Sequence, residues 1–504
     1  MPHPDPPPPP TAGRSAVGGS AGGPPAVSPS AGGRWSVGRW SAGGRSAGAS
    51  PAVNPSAAGR SAVGRSAVGR SAVVGRPTAG RLGTRALAAL RHAGPALLVF
   101  TAVRVVCLVA LAVRSAAEGS SPLTLLSARW DSLWYARVVE HGYDFTLTAP
   151  DGRVLSDMAF FPLLPWLERA VGAVTPLGPG HAGLAISAVA SLAAAWGIHR
   201  VVGTLYGARP AFFAVVVWAA LPVGIVQSMA YSESLFTALA AWSLYGVLRG
   251  DWVRAGLLAS LAGLTRPVGL AVAAAVWAGM WLAWRRGVVT AARSGTDAGP
   301  DADAGADGGA GTDTGTSPGA GIGAGAGTGP GGGAPPHTRN PTRAGHRRML
   351  LGALLAPVGA ASYVLWVGVR EGALFGYLDV QAAWGNGFDG GVAFARFVTG
   401  LPLPAALGLT AGVAALLWLY WTGVRRGQPL PLLVYSGVVL ALALGSSGYF
   451  GSKPRLLMPA FPLLIPLAVA LARARPRTSA TVAVLATAVA AWYGAVWLNG
   501  SGPP

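Results

Sequence analysis

Cysteine, lysine, histidine and acidic residues are all scarce in this 504-residue chain, and each scarcity removes a class of chemistry. Cys107 is the single cysteine and lies in an apolar run, so neither an intrachain disulfide nor a cysteine-ligated metal site can form. The seven histidines are scattered, with no His-x-x-x-His pair, which leaves a helix-borne metal-hydrolase site without ligands. Lys453 is the one lysine among 38 basic residues, and the chain has no phosphate-cradling Gly-rich P-loop, so nucleoside triphosphate chemistry is unsupported. No metal and no cofactor is expected. Charged residues make up only 11% of the chain against 52% apolar ones.

What is present is a series of long apolar runs. They lie near 87–113, 182–203, 209–229, 233–249, 254–265, 267–284, 349–370, 403–424, 430–447, 456–472 and 479–498. Most are long enough to cross a hydrocarbon core of ~30 Å at ~1.5 Å per residue. The expected fold class is therefore an all-α, polytopic integral membrane protein of the cell membrane with about 11 transmembrane segments, surrounded by membrane lipids. The net charge of +20 suggests nucleic acid, but its distribution does not. Residues 1–92 hold eleven arginines against one acid, Asp5, and most other arginines sit between apolar runs. That pattern orients a membrane protein, and no nucleic-acid partner is expected.

The arginine clusters place the N-terminus, Arg249/Arg254, Arg285/Arg286, Arg347/Arg348, Arg425/Arg426 and Arg473/Arg475/Arg477 in the cytoplasm. This works only if 254–284 is two helices meeting at Thr265-Arg266-Pro267, where Pro267 removes a backbone donor and biases Arg266 away from helix. Four regions follow. Residues 1–85 form a disordered, basic, Gly/Arg/Ser/Pro-rich cytoplasmic tail without the apolar core of a signal peptide. Residues 86–290 form an N-terminal membrane region with a long first extracytoplasmic loop at 114–181. Residues 291–348 form a disordered, Gly/Ala/Asp-rich cytoplasmic loop, and 349–504 a C-terminal membrane region.

The unusual polar residues fall near the external face. In Arg129-Trp130-Asp131-Ser132-Leu133-Trp134-Tyr135, a helix over 130–140 would align Trp130, Leu133, Trp134, Arg137 and Val138 in one stripe, as in an interfacial helix at headgroup depth. Asp131, near its start, fits two uses: a helix N-cap, or a general base accepting a proton from a sugar or lipid hydroxyl. Residues 159–166, with two prolines and the charged pair Glu168/Arg169 just beyond, read as a surface helix packed on the bundle. Glu233, in Tyr231-Ser232-Glu233-Ser234, either caps a helix or faces a watery cavity. Arg266 lies in an apolar stretch, where a charge costs ~2.5–3.5 kcal/mol unless partnered. Arg104, inside the first span, suits a structural ion pair. Lys453 and Arg455 would either hold a phosphate or snorkel to headgroups.

At these residues the chain resembles the PIG-V mannosyltransferase family, within the GT-C class of polytopic glycosyltransferases. The resemblance rests on Arg129-Trp130-Asp131, His141-Gly142-Tyr143, Phe160-Phe161-Pro162-Leu163-Leu164-Pro165, Tyr231-Ser232-Glu233-Ser234-Leu235-Phe236, Thr265-Arg266-Pro267-Val268-Gly269 and Ser452-Lys453-Pro454-Arg455, in that order. It covers about 87–475 and implies a GT-C-like fold. It also implies a polyprenyl-phosphate sugar donor, mannose as the sugar, a lipid or glycan acceptor and transfer on the outer face. Asp131 fits the implied general base, with Arg266, Lys453, Arg455, Glu233, Trp130 and Tyr231 binding substrate or donor phosphate. The alternative is a transporter or lipid flippase, which also uses broken helices and buried charges, although no internal repeat is visible.

Overall fold

The structure is a computed structural model that describes residues 79–296 and 343–500, with side chains over 91–286 and 345–500. The expected disordered stretches fall largely outside these residues. Their described edges are helical: the first helix already runs Ala79–Ala117, and helices Leu270–Thr296 and Arg343–Leu355 extend into the expected cytoplasmic loop. Ala, Arg and Leu at those edges are strong helix formers and carry each helix past its apolar part.

Six helices are long and apolar enough to cross a membrane: Arg91–Ala117, Pro179–Tyr206, Pro267–Arg286, Gly345–Arg370, Leu403–Arg425 and Pro476–Asn499. Two bent pairs raise the number to eight if each is one span, Ala208–Ala219 with Pro222–Ser228 at 86° and Phe450–Leu457 with Phe461–Arg473 at 76°. The expected count of eleven is thus corrected to six to eight among the described residues. The difference lies in three short helices, Glu233–Arg249, Trp252–Gly263 and Leu430–Gly445, of 17, 12 and 16 residues. At ~1.5 Å per residue the shortest rises only ~18 Å. One face of it, at Ala255, Gly256, Ala259, Ala262 and Gly263, is buried against neighbouring helices, while Leu257 and Leu261 are exposed.

Small residues let these helices approach closely. A side chain added at Gly256 would strike the Gly352 backbone, and one at Gly263 would lie 2.6 Å from the Ala360 nitrogen. Increasing numbers meet increasing numbers, so Trp252–Gly263 runs parallel to 343–370. In contrast, Gly279 adjoins Trp252, Val247 and Pro431, while Gly269 adjoins Gly263, so Trp252–Gly263 and Pro267–Arg286 form an antiparallel pair. The break at Thr265-Arg266-Pro267 is therefore real, with Arg266 extended at φ −162° and ψ 152°. Ser187 bonds the Tyr231 carbonyl and Arg200 bonds the Tyr245 hydroxyl, so Pro179–Tyr206 runs parallel to Glu233–Arg249. Arg249, Arg254, Arg285, Arg286, Arg425 and Arg426 flank the level at which Gly279 meets its neighbours, and define a basic end of the bundle. Glu233 and Arg266 lie at the opposite end.

The 114–181 loop covers that opposite end. It holds helices Pro122–Ser127, Asp131–His141 and Leu163–Val174. It also holds one departure from an all-α fold, the antiparallel hairpin Thr146–Thr148/Val154–Ser156, paired Thr146↔Ser156, Leu147↔Leu155 and Thr148↔Val154. Asp151-Gly152 turns the hairpin, with Gly152 at φ 82° where other residues would be strained. A second loop, at about 371–402, supplies helices Gly376–Ala383 and Val392–Thr399.

Candidate active site

The turn before Asp131 is held by its own motif. Trp130 has φ 51°, a left-handed conformation that costs a bulky residue ~1–3 kcal/mol and persists only where surroundings enforce it. Ser132 Oγ accepts from the Arg129 N–H at 3.0 Å and donates to the Arg129 carbonyl at 2.7 Å. The Arg129 guanidinium donates to the Leu498 carbonyl at 2.9 Å and lies 4.2 Å from the Trp130 ring centre. Trp130 occupies the N-cap position and Asp131 the first helical residue. The capping use of the Asp131 side chain is therefore displaced, because its carboxylate points elsewhere.

It points to Arg455. Arg455 Nη1 donates to Asp131 Oδ2 at 2.8 Å, and Arg455 Nε lies 3.3 Å from Glu233 Oε1. Glu233 Oε1 is in turn ion-paired with Arg266 Nη1. Four residues from four separate segments thus form one line, Asp131–Arg455–Glu233–Arg266, with two charges of each sign. The side chains of Arg455 and Glu233 are 8% and 1% exposed, whereas Asp131 is 24% and Arg266 14% exposed. The middle is buried and the ends reach outward. Alternation offsets the cost of burying charge, and Glu233 gains further from starting a helix, whose N-terminus favours an anion. Tyr231 lies against this line, its ring centre 5.1 Å from the Arg455 guanidinium carbon.

The other motifs meet around it. Tyr143 Oη donates to the Phe160 carbonyl at 2.8 Å, and the Leu163 N–H donates to the Leu264 carbonyl at 3.0 Å, beside the Arg266 break. The Ala230 N–H donates to the Leu126 carbonyl at 2.9 Å. These bonds fasten the first loop onto the helix ends that carry Glu233 and Arg266.

Several expectations change. The Trp134 stripe does not meet headgroups: Trp134 is buried, stacked on Phe160 at 5.5 Å and edge-on to Trp384 at 4.9 Å. The hairpin and the second loop cover it, an arrangement no local pattern reveals. Lys453 belongs to no carboxylate pair. Its Nζ donates to the Ala443 and Ser446 carbonyls at 2.7 Å each and to Ser446 Oγ at 3.2 Å, so all three hydrogens close the end of the Leu430–Gly445 helix. Arg104 has no acidic partner either. It donates to the carbonyls of Ala219 and Gly224, on either side of the bend between Ala208–Ala219 and Pro222–Ser228. The Glu168/Arg169 pair splits: Arg169 donates to the Val139 carbonyl, and Glu168 turns inward against Gly183 and Ala230.

Three residues of the first loop take buried positions that the sequence pattern did not assign. Tyr135 is buried, with its hydroxyl hydrogen-bonded to Ser232 Oγ at 2.9 Å, and burial foremost pushes its ionisation up so that it stays a neutral phenol. Asp157 is fully buried and accepts from the Phe145 N–H at 3.2 Å, while burial raises its carboxyl above the usual range. Burial pushes Glu168 up to about 9, and its Oε2 has no hydrogen-bond partner. Tyr135 has a usable signal, since it lies four positions from Asp131 on one helical face. The others are found only by folding the loop.

No family model and no curated protein matches this chain. The solved structures similar to it include two of one protein. ArnT from Cupriavidus metallidurans bound to undecaprenyl phosphate matches at 16% identity and a TM-score of 0.44, over 79% of this chain and 63% of that one. The same protein in its apo state matches at 16% identity and 0.43, over 76% and 61%. This chain therefore spans less than two thirds of the length of either structure.

Proposed function

We propose that this chain is a membrane glycosyltransferase that moves a sugar from a polyprenyl-phosphate donor to the hydroxyl of a lipid or glycan acceptor. The motif resemblance favours mannose and the extracytoplasmic face. The observation that carries the reading is the line Asp131–Arg455–Glu233–Arg266, with its carboxylate end and its guanidinium end both partly exposed. Group transfer from a lipid phosphate needs such a pair of ends, one to take a proton and one to offset negative charge on the leaving phosphate.

Asp131 accepts the proton of the acceptor hydroxyl as its oxygen attacks the anomeric carbon. The bond from that carbon to the phosphate oxygen breaks, the electron pair leaves with the phosphate, and the anomeric configuration inverts. Arg455 orients Asp131, Glu233 positions both arginines, and Arg266 faces the phosphate. Tyr231 and Trp130 pack the two cationic neighbours in place. No nucleotide sugar takes part. A transporter also buries charge in broken helices, but such sites lie near the bilayer midplane, whereas this line sits at one end of the bundle.

The test is Asp131→Asn in membranes supplied with polyprenyl-phospho-mannose and an extract of native acceptors. Loss of a general base predicts a rate lower by ~10²–10⁴ with unchanged protein level. A rate within about twofold of the parent removes Asp131 from the chemistry.

A further inference from the structure

The opposite, basic end of the bundle holds a second feature that this reaction does not use. A cavity of about 350 Å³ lies between the first helix, the end of Pro179–Tyr206 and the start of Ala208–Ala219. Its polar walls are all basic: His92, His199 and Arg209, with no acid among the lining residues. Pro95, Ala96, Ala208 and Phe212 form the apolar remainder.

Three independent observations converge here. Gly207, at φ 87°, turns the chain so that the Ala208–Ala219 helix begins at the cavity, where the N–H groups of Ala208 and Arg209 precede the first intrahelical bond and Pro210 carries no N–H. Arg209 adds a guanidinium that spends one hydrogen bond, at 3.2 Å, on the Ala474 carbonyl, next to Arg473, Arg475 and Arg477. His199 lines the cavity and is only 8% exposed, and its Nδ1 has no hydrogen-bond partner among the described residues. Leaving a buried polar atom unpaired is costly, and an anionic oxygen that reached Nδ1 in its N–H form would end that cost.

We infer that this cleft binds a phosphate-bearing anion, the headgroup of an anionic membrane lipid. The phosphate sits between Arg209, His92, His199 and the helix start, and the lipid's apolar part lies along Pro95, Ala96 and Phe212. His92, Pro95 and Arg209 are exposed, so the cleft is open on its outer side at the depth where the basic residues place headgroups. Free phosphate shares the charge but leaves the apolar wall unused. The site stands apart from the proposed reaction and would exist in a transporter as well.

The full-length protein in nonionic detergent, titrated with phosphatidylglycerol or phosphatidylcholine and weighed intact by native mass spectrometry, tests this. The parent should retain one phosphatidylglycerol about tenfold more tightly than phosphatidylcholine, as charge-assisted bonds to phosphate provide. The double variant Arg209→Gln/His92→Gln alters only exposed side chains and should lose that preference. Arg254→Gln, basic and at the same end but outside the cavity, should keep it. Equal retention of phosphatidylglycerol by parent and double variant overturns the site. Displacement of the lipid by excess inorganic phosphate overturns the lipid assignment, and resistance to displacement supports it.

Discussion

Arg455 and Asp131 lie 324 residues apart in sequence, and their side chains meet at 2.8 Å. The same guanidinium reaches Glu233 at 3.3 Å, so one buried residue joins the first loop to the helix ends beneath it. A bridging arginine of this kind has a planar fork that one ammonium cannot reproduce.

Arg455→Lys should therefore retain at most one of the two carboxylate contacts, and Arg455→Met neither. Removing one partner of a buried ionic line costs ~3–5 kcal/mol, so Arg455→Met should lower the midpoint of thermal unfolding in detergent well below that of Arg455→Lys. Both variants should lose at least ~10-fold in transfer rate. Equal midpoints for both variants and the parent would mean that Arg455 bridges nothing.

Glu168 makes stability depend on pH. Its carboxyl is raised to about 9 in the folded protein against an ordinary 4.5, so between those values the folded state holds a proton that the unfolded state has released. Stability is then lost as pH rises through that window, by up to ~1.4 kcal/mol per pH unit. Glu168→Gln keeps the shape without the proton. Its unfolding midpoint should exceed the parent's at pH 8, and the two should converge near pH 4.5.

Trp130 contributes both strain and packing, and two substitutions separate them. Trp130→Ala removes the ring and keeps the left-handed backbone; Trp130→Gly removes the ring and most of the strain. The glycine variant should be the more stable of the two by ~1 kcal/mol, measured by chemical or thermal unfolding. An alanine variant as stable as the glycine variant would show that φ 51° at this position costs little.

Orientation has its own check. A reporter fused after residue 320 should be cytoplasmic, and one inserted near residue 390 extracytoplasmic. A reporter signal outside the cell at 320 would invert the assignment of the basic end, and with it the face on which Asp131 lies.

Local chemistry by itself determined a good deal of this protein. Apolar runs marked the six helices long enough to span, because crossing lipid demands length and composition that one segment shows alone. Pro267 marked the break that carries Arg266, because proline acts on its own neighbours. Asp131, Glu233, Arg266 and Arg455 were each conspicuous as charges in apolar or aromatic surroundings. Only the tertiary structure decided that these four form one line, that Lys453 closes a helix instead of joining them, and that Trp134 is covered by protein instead of lipid. Only it turned Glu168 inward and brought His92, His199 and Arg209 together. The physical reason is common to all of these: a charge or an aromatic ring announces its need for a partner locally, but which partner it finds depends on long-range packing.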